Sequence, residues 1–222
     1  MFVDAFLNQA VIDKYLPDIL WGMVVTIEVA VAVVVTGIVA GLALAALRSF
    51  RLRPVNLLIV GFVDVFRALP PLVIILIAYF GLPNVGLSLS GFAVLWLVLS
   101  LVLAAFAEEI FWSGILAIRK GQWEAARSTG LDFPQTLVWV ILPQAVRMTV
   151  PPLTNRTIAI TKNTALGAVI GVPEILMQAQ TAQSFSGNAT PLLLGAVAYI
   201  VLFVPVVAVG RWLETRFAWG RA

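Results

Sequence analysis

The chain of 222 residues contains no cysteine and no histidine. The first absence excludes disulfides and thiolate chemistry, and the second removes the usual general base and the commonest metal ligand. Charge is also scarce: 11% of residues are Asp, Glu, Lys or Arg, against 61% hydrophobic, where a soluble domain carries about a quarter charged. Mean hydropathy is +1.03, so the balance is that of an integral membrane protein. The pI near 9.7 does not imply nucleic acid. The basic residues are scattered beside apolar runs and read as topology signals instead. The first basic residue, Lys14, follows Asp4 and Asp13. A cleavable leader starts with a basic segment, so the first membrane helix is expected to stay in the mature protein.

What is present is a series of long apolar runs. A helix needs about 20 apolar residues to cross the hydrocarbon core. Leu20 to Leu47, Asn56 to Phe80, Gly91 to about Ile118, about Pro143 to Ala165, and Pro191 to Leu213 supply five such spans. The fourth is the weakest, interrupted by Arg147, Pro151, Pro152, Arg156 and Lys162. The second carries Pro70 and Pro71, which are expected to kink it. The expected fold class is therefore all-α: five transmembrane helices in one domain over residues 1–222. That domain divides into an outer segment at 1–19, a membrane core at 20–213 and a cytoplasmic tail at 214–222. The spacing of Phe2, Phe6, Val11 and Tyr15 leaves Met1 to Asp18 as either a surface helix or a loose leader.

Arginines and lysines set the orientation. Arg48, Arg51 and Arg53 follow the first span, Arg119, Lys120 and Arg127 the third, and Arg211, Arg216 and Arg221 the fifth. The connectors Gly81 to Ser90 and Leu166 to Thr190 have neither residue type. Basic loops stay in the cytoplasm, which predicts an outer N-terminus and a cytoplasmic C-terminus.

One cytoplasmic loop, about residues 119–143, is charged and broken by glycine and proline. Within it Gln122 to Thr129 has the composition of a two-turn helix stopped by Gly130. So short a helix is marginal in water without a surface to dock on. Glu124-Ala125-Ala126, three residues, Gly130, then Leu142-Pro143 resembles the EAA loop of ABC importer permeases, with Val140 where that family has isoleucine. "RALPPLV" (Arg67 to Val73), "AEEIFWSGI" (Ala107 to Ile115), "KGQWEAA", "ILPQAVRMTVPPLTN" and "TKNTALGAVIGVPEI" (Thr161 to Ile175) extend the likeness over most of residues 20 to 175. They resemble the polar amino acid branch, the histidine/glutamine/arginine type.

The resemblance implies a type I importer fold in a bacterial inner membrane, with the short helix as a coupling helix. Gln122, Glu124, Ala125, Ala126, Gly130 and Pro143 would meet an ATPase subunit, and Trp123 would join that contact. It implies as partners two cytoplasmic ATP-binding subunits, an identical or related permease subunit, an extracytoplasmic amino-acid-binding protein and membrane lipid, with no nucleic acid. The chain has no G-x-x-x-x-G-K-[ST] motif, so ATP would be hydrolysed by another chain. It is not read as an enzyme, and no cofactor or metal is expected.

For the substrate, the resemblance points to Glu109 and to Thr161, Lys162, Asn163 and Thr164. Two departures stand out: Trp112 replaces an arginine of the family pattern, and Asn163 an aspartate. Asn163 can hydrogen-bond a zwitterion but cannot offset a cationic side chain, which favours a polar or neutral amino acid. A carboxylate within a span costs roughly 2.5 to 3.5 kcal/mol. Glu109 is thus either a ligand for the substrate ammonium or a partner of Arg147, Arg156 or Lys162, while Glu108 is expected to be structural. Asp64 and Arg67, three apart, are expected to pair on one helix face. The rival reading is an ion-coupled carrier that uses Glu108 and Glu109 as a relay.

Overall fold

A computed structural model describes residues 5–217. Expectations that fall on residues 1–4 and 218–222, Phe2 and Arg221 among them, lie outside the described residues. Among the described residues every element is helical and none is a strand. The first helix, α1, spans Gln9–Arg48 without interruption. Residues 9–18 are therefore its opening turns, not a separate surface helix or leader, and Pro17 is accommodated inside it.

The double proline does more than kink the second apolar run. Helix α2, Arg53–Ala68, ends at Leu69 (φ −90°, ψ 137°), and Pro70 is extended as well (φ −59°, ψ 133°). Each of these residues precedes a proline, whose ring disfavours helical ψ at the position before it. Two consecutive residues are thus pushed out of the helix. Helix α3, Pro71–Gly81, then restarts with proline in its first turn, where no N–H is missed. The expected Asn56 to Phe80 span is accordingly two helices.

Helix α4, Gly91–Ala117, is followed by the short α5, Lys120–Ser128. A capping box opens α6, Phe133–Thr136: the Asp132 side chain accepts from Gln135 N, and Gln135 Oε1 accepts from Asp132 N. A π-helical turn at Leu137–Ile141 leads into α7, Leu142–Lys162. The wider turn falls just before Pro143, whose ring would clash with the carbonyl four residues back in α register. Helix α7 tightens to 3-10 geometry at Asn163–Ile170 and stops at Gly171 (φ +74°). Helices α8, Ile175–Ser186, and α9, Thr190–Phe217, complete the chain.

Three described helices, α1, α4 and α9, are long and apolar enough to cross a membrane, and four if α2 and the run Pro71–Val85 count as one broken span. The most apolar window of α4 is 61% buried within the protein, those of α1 and α9 only 28% and 11%. Helices α1 and α9 therefore expose valines and isoleucines, such as Val31, Val35, Val39 and Ile200, Val201, Val204, as lipid or a partner requires.

The chain forms two compact units. The first gathers Met1–Val33, Pro70–Leu99 and Ile160–Ala208, and the second Val34–Leu69, Ser100–Ala159 and Val209–Ala222. The first has a core of Ile19, Ile175 and Ala198. The second is built on Ala45, Ala107, Phe111, Ile115, Leu137, Ile141 and Ala145. In the second unit α1 and α4 touch at the backbone. A Cβ on Gly41 would lie 2.5 Å from that of Ala107 and 2.9 Å from Ala104 O. The small residues Gly37, Gly41 and Ala45, spaced by four, permit that approach, as small residues do between membrane helices.

Candidate functional site

Helix α5 belongs to the second unit and stands at the end of α4. It begins after Arg119 with no side-chain cap. It ends at Thr129, whose Oγ1 donates to Ala126 O at 2.7 Å, and at Gly130, where φ is +91°. A Cβ on Gly130 would meet nothing within 4 Å, so the backbone angle alone calls for glycine. Ala126 is the buried anchor of α5. Trp123 stacks on Phe133 at 5.5 Å, and Phe133 meets Phe50 edge-on at 5.3 Å. Trp123 is thus held by its own chain while remaining partly exposed. Gln122 Oε1 accepts from Gln144 Nε2 at 3.2 Å, which ties α5 to the residue after Pro143. Gln122, Glu124, Ala125, Gly130 and Pro143 all remain exposed. This nine-residue helix is thus held on one side and exposed on the other.

The adjacent acids on α4 part company. Residues one apart on a helix point about 100° apart, and each finds a different arginine of the second unit. Glu108 is fully buried and accepts from Arg48 Nη1 at 3.0 and 3.1 Å. The Arg48 guanidinium also lies 4.8 Å from the Trp112 ring. Glu109 pairs with Arg67, and its side chain is 43% exposed. The partners expected for it were Arg147, Arg156 or Lys162, and the pairing expected for Arg67 was Asp64. Both expectations yield to the Arg67–Glu109 pair, because the end of α2 lies beside α4 and Asp64 is exposed. Arg156 instead covers the Phe106 ring at 3.4 Å, with Arg67 at 5.4 Å from the same ring.

Thr161, Lys162, Asn163 and Thr164 lie in the first unit, where α7 turns into 3-10 helix. Thr161 and Thr164 are buried, and Thr164 Oγ1 donates to Thr161 O at 2.9 Å. Lys162 is exposed and Asn163 half-buried, so these two are the members of the cluster open to a solute.

Glu174 was not singled out from the sequence. It is fully buried in the first unit and caps α8. Its carboxylate accepts from Leu176 N at 3.0 Å, Met177 N at 2.8 Å and the Tyr199 hydroxyl at 2.6 Å. Burial pushes this carboxyl above its ordinary value, against the three donors, which hold it down. Beside it, Ile175 N donates to Thr26 Oγ1 at 3.3 Å, and the backbone of Glu174 packs where a Cβ on Gly22 would sit. The legible signal was an acid directly before the apolar run Ile175-Leu176-Met177, as at an N-cap.

Comparison with known proteins places this geometry. The probable glutamine ABC transporter permease protein GlnP of Bacillus subtilis (strain 168) is 36% identical over 202 residues, 89% of this chain and 93% of that protein. The arginine transport system permease protein ArtQ of the same organism is 32% identical, over 90% of this chain and 93% of its own. The crystal structure of an amino acid ABC transporter with histidines is similar over 92% of this chain and 96% of that one, with a TM-score of 0.83 and 30% identity. Residues 37–219 match the family of binding-protein-dependent transport system inner membrane components, and the chain belongs to that family.

Proposed function

We propose that this chain is the membrane-spanning subunit of an ATP-driven importer of amino acids with polar or neutral side chains. Residues 1–222 act as one permease domain with five spans, the fourth being α7, and with the N-terminus outside and the C-terminus in the cytoplasm. Two ATP-binding subunits hydrolyse the nucleotide, a second identical or related permease completes the pathway, and an extracytoplasmic binding protein delivers the substrate. Transport is by alternating access. ATP draws the two coupling helices together and the membrane halves open outward, and hydrolysis returns them. The membrane site holds its substrate only modestly, because the substrate must leave.

The observation that carries this reading is α5 itself: a nine-residue helix, anchored through Ala126 and Trp123, that presents Glu124 to the outside. Gln122, Glu124, Ala125, Ala126, Gly130 and Pro143 make up the foot and its hinge. For the substrate, Glu109 of the second unit exchanges Arg67 for the substrate ammonium group, and Thr161, Lys162, Asn163 and Thr164 of the first unit are the further binding residues. The relatives named for glutamine and arginine fit an amino acid cargo, and Asn163 favours a neutral one.

The test is uptake of labelled glutamine into proteoliposomes holding the whole complex, with binding protein supplied. Vanadate is expected to stop uptake and a protonophore to leave it intact. Glu124→Lys is expected to lower uptake at least tenfold. Undiminished uptake by that variant would falsify the coupling role, and collapse of uptake with the protonophore alone would favour the ion-coupled reading through Glu108 and Glu109.

A further inference from the structure

Beside α5, the second unit has a cleft of about 880 Å³, in the range of ligand sites, about 300–1,000 Å³. One wall is the turn that closes α1 together with the end of α4. The other is α5. Its charged lining is cationic: Arg51, Arg119, Lys120 and Arg127, with Glu124 as the single acid. Lys120 already pairs with Glu124 at 3.3 Å. Among the described residues, Arg51, Arg119 and Arg127 have no ion pair. The rest of the lining is largely apolar and includes Trp112, Ile115, Leu116 and Phe50, with Leu116 59% and Phe50 42% exposed.

Arg51 adds a second observation. It is the one non-glycine residue among the described residues with positive φ, at +56°. An L side chain is strained there, and glycine or asparagine is the usual occupant. Strain of this kind is kept where the side chain is used, and the Arg51 side chain lines the cleft. Three arginines without an ion pair line this one cleft, and arginine binds phosphate through paired N–H donors. The apolar residues of the same lining suit hydrocarbon. Phosphate and acyl chain together describe one molecule. From this mixed lining we infer that the cleft is a binding site for an anionic phospholipid, seated where the α1 turn, α4 and α5 meet. This goes beyond the transport reading, since it requires only that the chain lies in a membrane. It also gives α5 a lipid neighbour on its Lys120–Arg127 side.

Native mass spectrometry of the purified complex, from nanodiscs of phosphatidylcholine doped with phosphatidylglycerol, tests the site. Wild type is expected to retain phosphatidylglycerol at least tenfold over phosphatidylcholine. Arg51→Gln with Arg119→Gln is expected to abolish that preference, and Arg51→Lys with Arg119→Lys to restore part of it. Arg211→Gln with Arg216→Gln removes equal charge elsewhere and is expected to change nothing. Leu116→Glu leaves the turn alone, sets an acid against the acyl wall, and gives the same loss as the Gln pair. The proposal is overturned by equal retention in the Gln pair and wild type. It is also overturned if inorganic phosphate displaces the lipid, or if the permease alone retains lipid but the complex with its ATPase does not, since the cleft would then belong to a soluble anion or to the ATPase.

Discussion

A single nitrogen of Arg48, Nη1, reaches both carboxylate oxygens of Glu108, at 3.0 and 3.1 Å, with the acid fully buried and the arginine 20% exposed. This contact joins the end of α1 to α4. Removing one partner leaves an uncompensated buried charge, which costs roughly 3–5 kcal/mol, whereas replacing both with apolar residues is often near neutral. Arg48→Ala is therefore expected to lower the heat-inactivation midpoint of the purified chain markedly, and Arg48→Leu with Glu108→Leu to recover most of the loss. Equal midpoints for the single and double variants would show that the pair is not coupled.

The contact depends on the approach of α1 and α4 one to two turns earlier. At Gly41 a Cβ would lie 2.9 Å from Glu108 N as well as against Ala107. Backbone atoms cannot step aside as a side-chain tip can. Gly41→Leu is expected to cost about 1–3 kcal/mol by overpacking, and more than Gly61→Leu, where a Cβ would meet nothing within 4 Å. Thermal midpoints of the two variants in one detergent decide the order.

Glu174 lies outside the proposed spans and gives a pH dependence of definite sign. Its folded-state pKa is raised above the ordinary 4.5, first by burial. The folded protein therefore holds that proton more tightly than the unfolded chain. The resulting stability is complete below the ordinary value and is lost as pH rises through the folded one. Stability of wild type relative to Glu174→Gln should accordingly fall as pH rises above 4.5. Tyr199→Phe removes a donor that favours the charged form, so the fall should extend to higher pH. Unfolding midpoints measured across this range check both, and parallel curves for wild type and Glu174→Gln would refute the assignment.

Asn163 sits half-buried where α7 becomes 3-10 helix. An aspartate there restores a full negative charge. Asn163→Asp is expected to shift competition for uptake toward arginine by about tenfold, the equivalent of 1.4 kcal/mol, with the binding protein unchanged. The measurement is inhibition of glutamine uptake by arginine in wild type and variant. No change in the arginine requirement would remove Asn163 from the substrate path.

Much of the chain was legible without coordinates. The apolar runs located α1, α4 and α9, and Glu124 to Gly130 marked α5 to within two residues. Pro70 and Pro71 announced an irregularity, but its form as a full break follows from two successive residues each preceding a proline. Other features were not readable. Arg67 was matched to Asp64 by sequence spacing, yet it meets Glu109, because spacing reports neighbours on one helix and says nothing of the helix alongside. Glu174 is hidden for the same reason, since its burial and its Tyr199 partner, 25 residues away, exist only once α8 and α9 pack.

By itself the sequence determined what is local: which stretches are helices, where glycine and proline stop or break them, and that their surfaces need lipid. These outcomes depend on hydrogen bonds and steric limits within a few residues. Tertiary structure decided which arginine neutralises which glutamate, that Trp123 stacks on Phe133, and that Arg51 shares a cleft with Arg119 and Arg127. Those pairings depend on how closely helices approach, and Gly37, Gly41 and Ala45 set that distance only after α1 and α4 have come together.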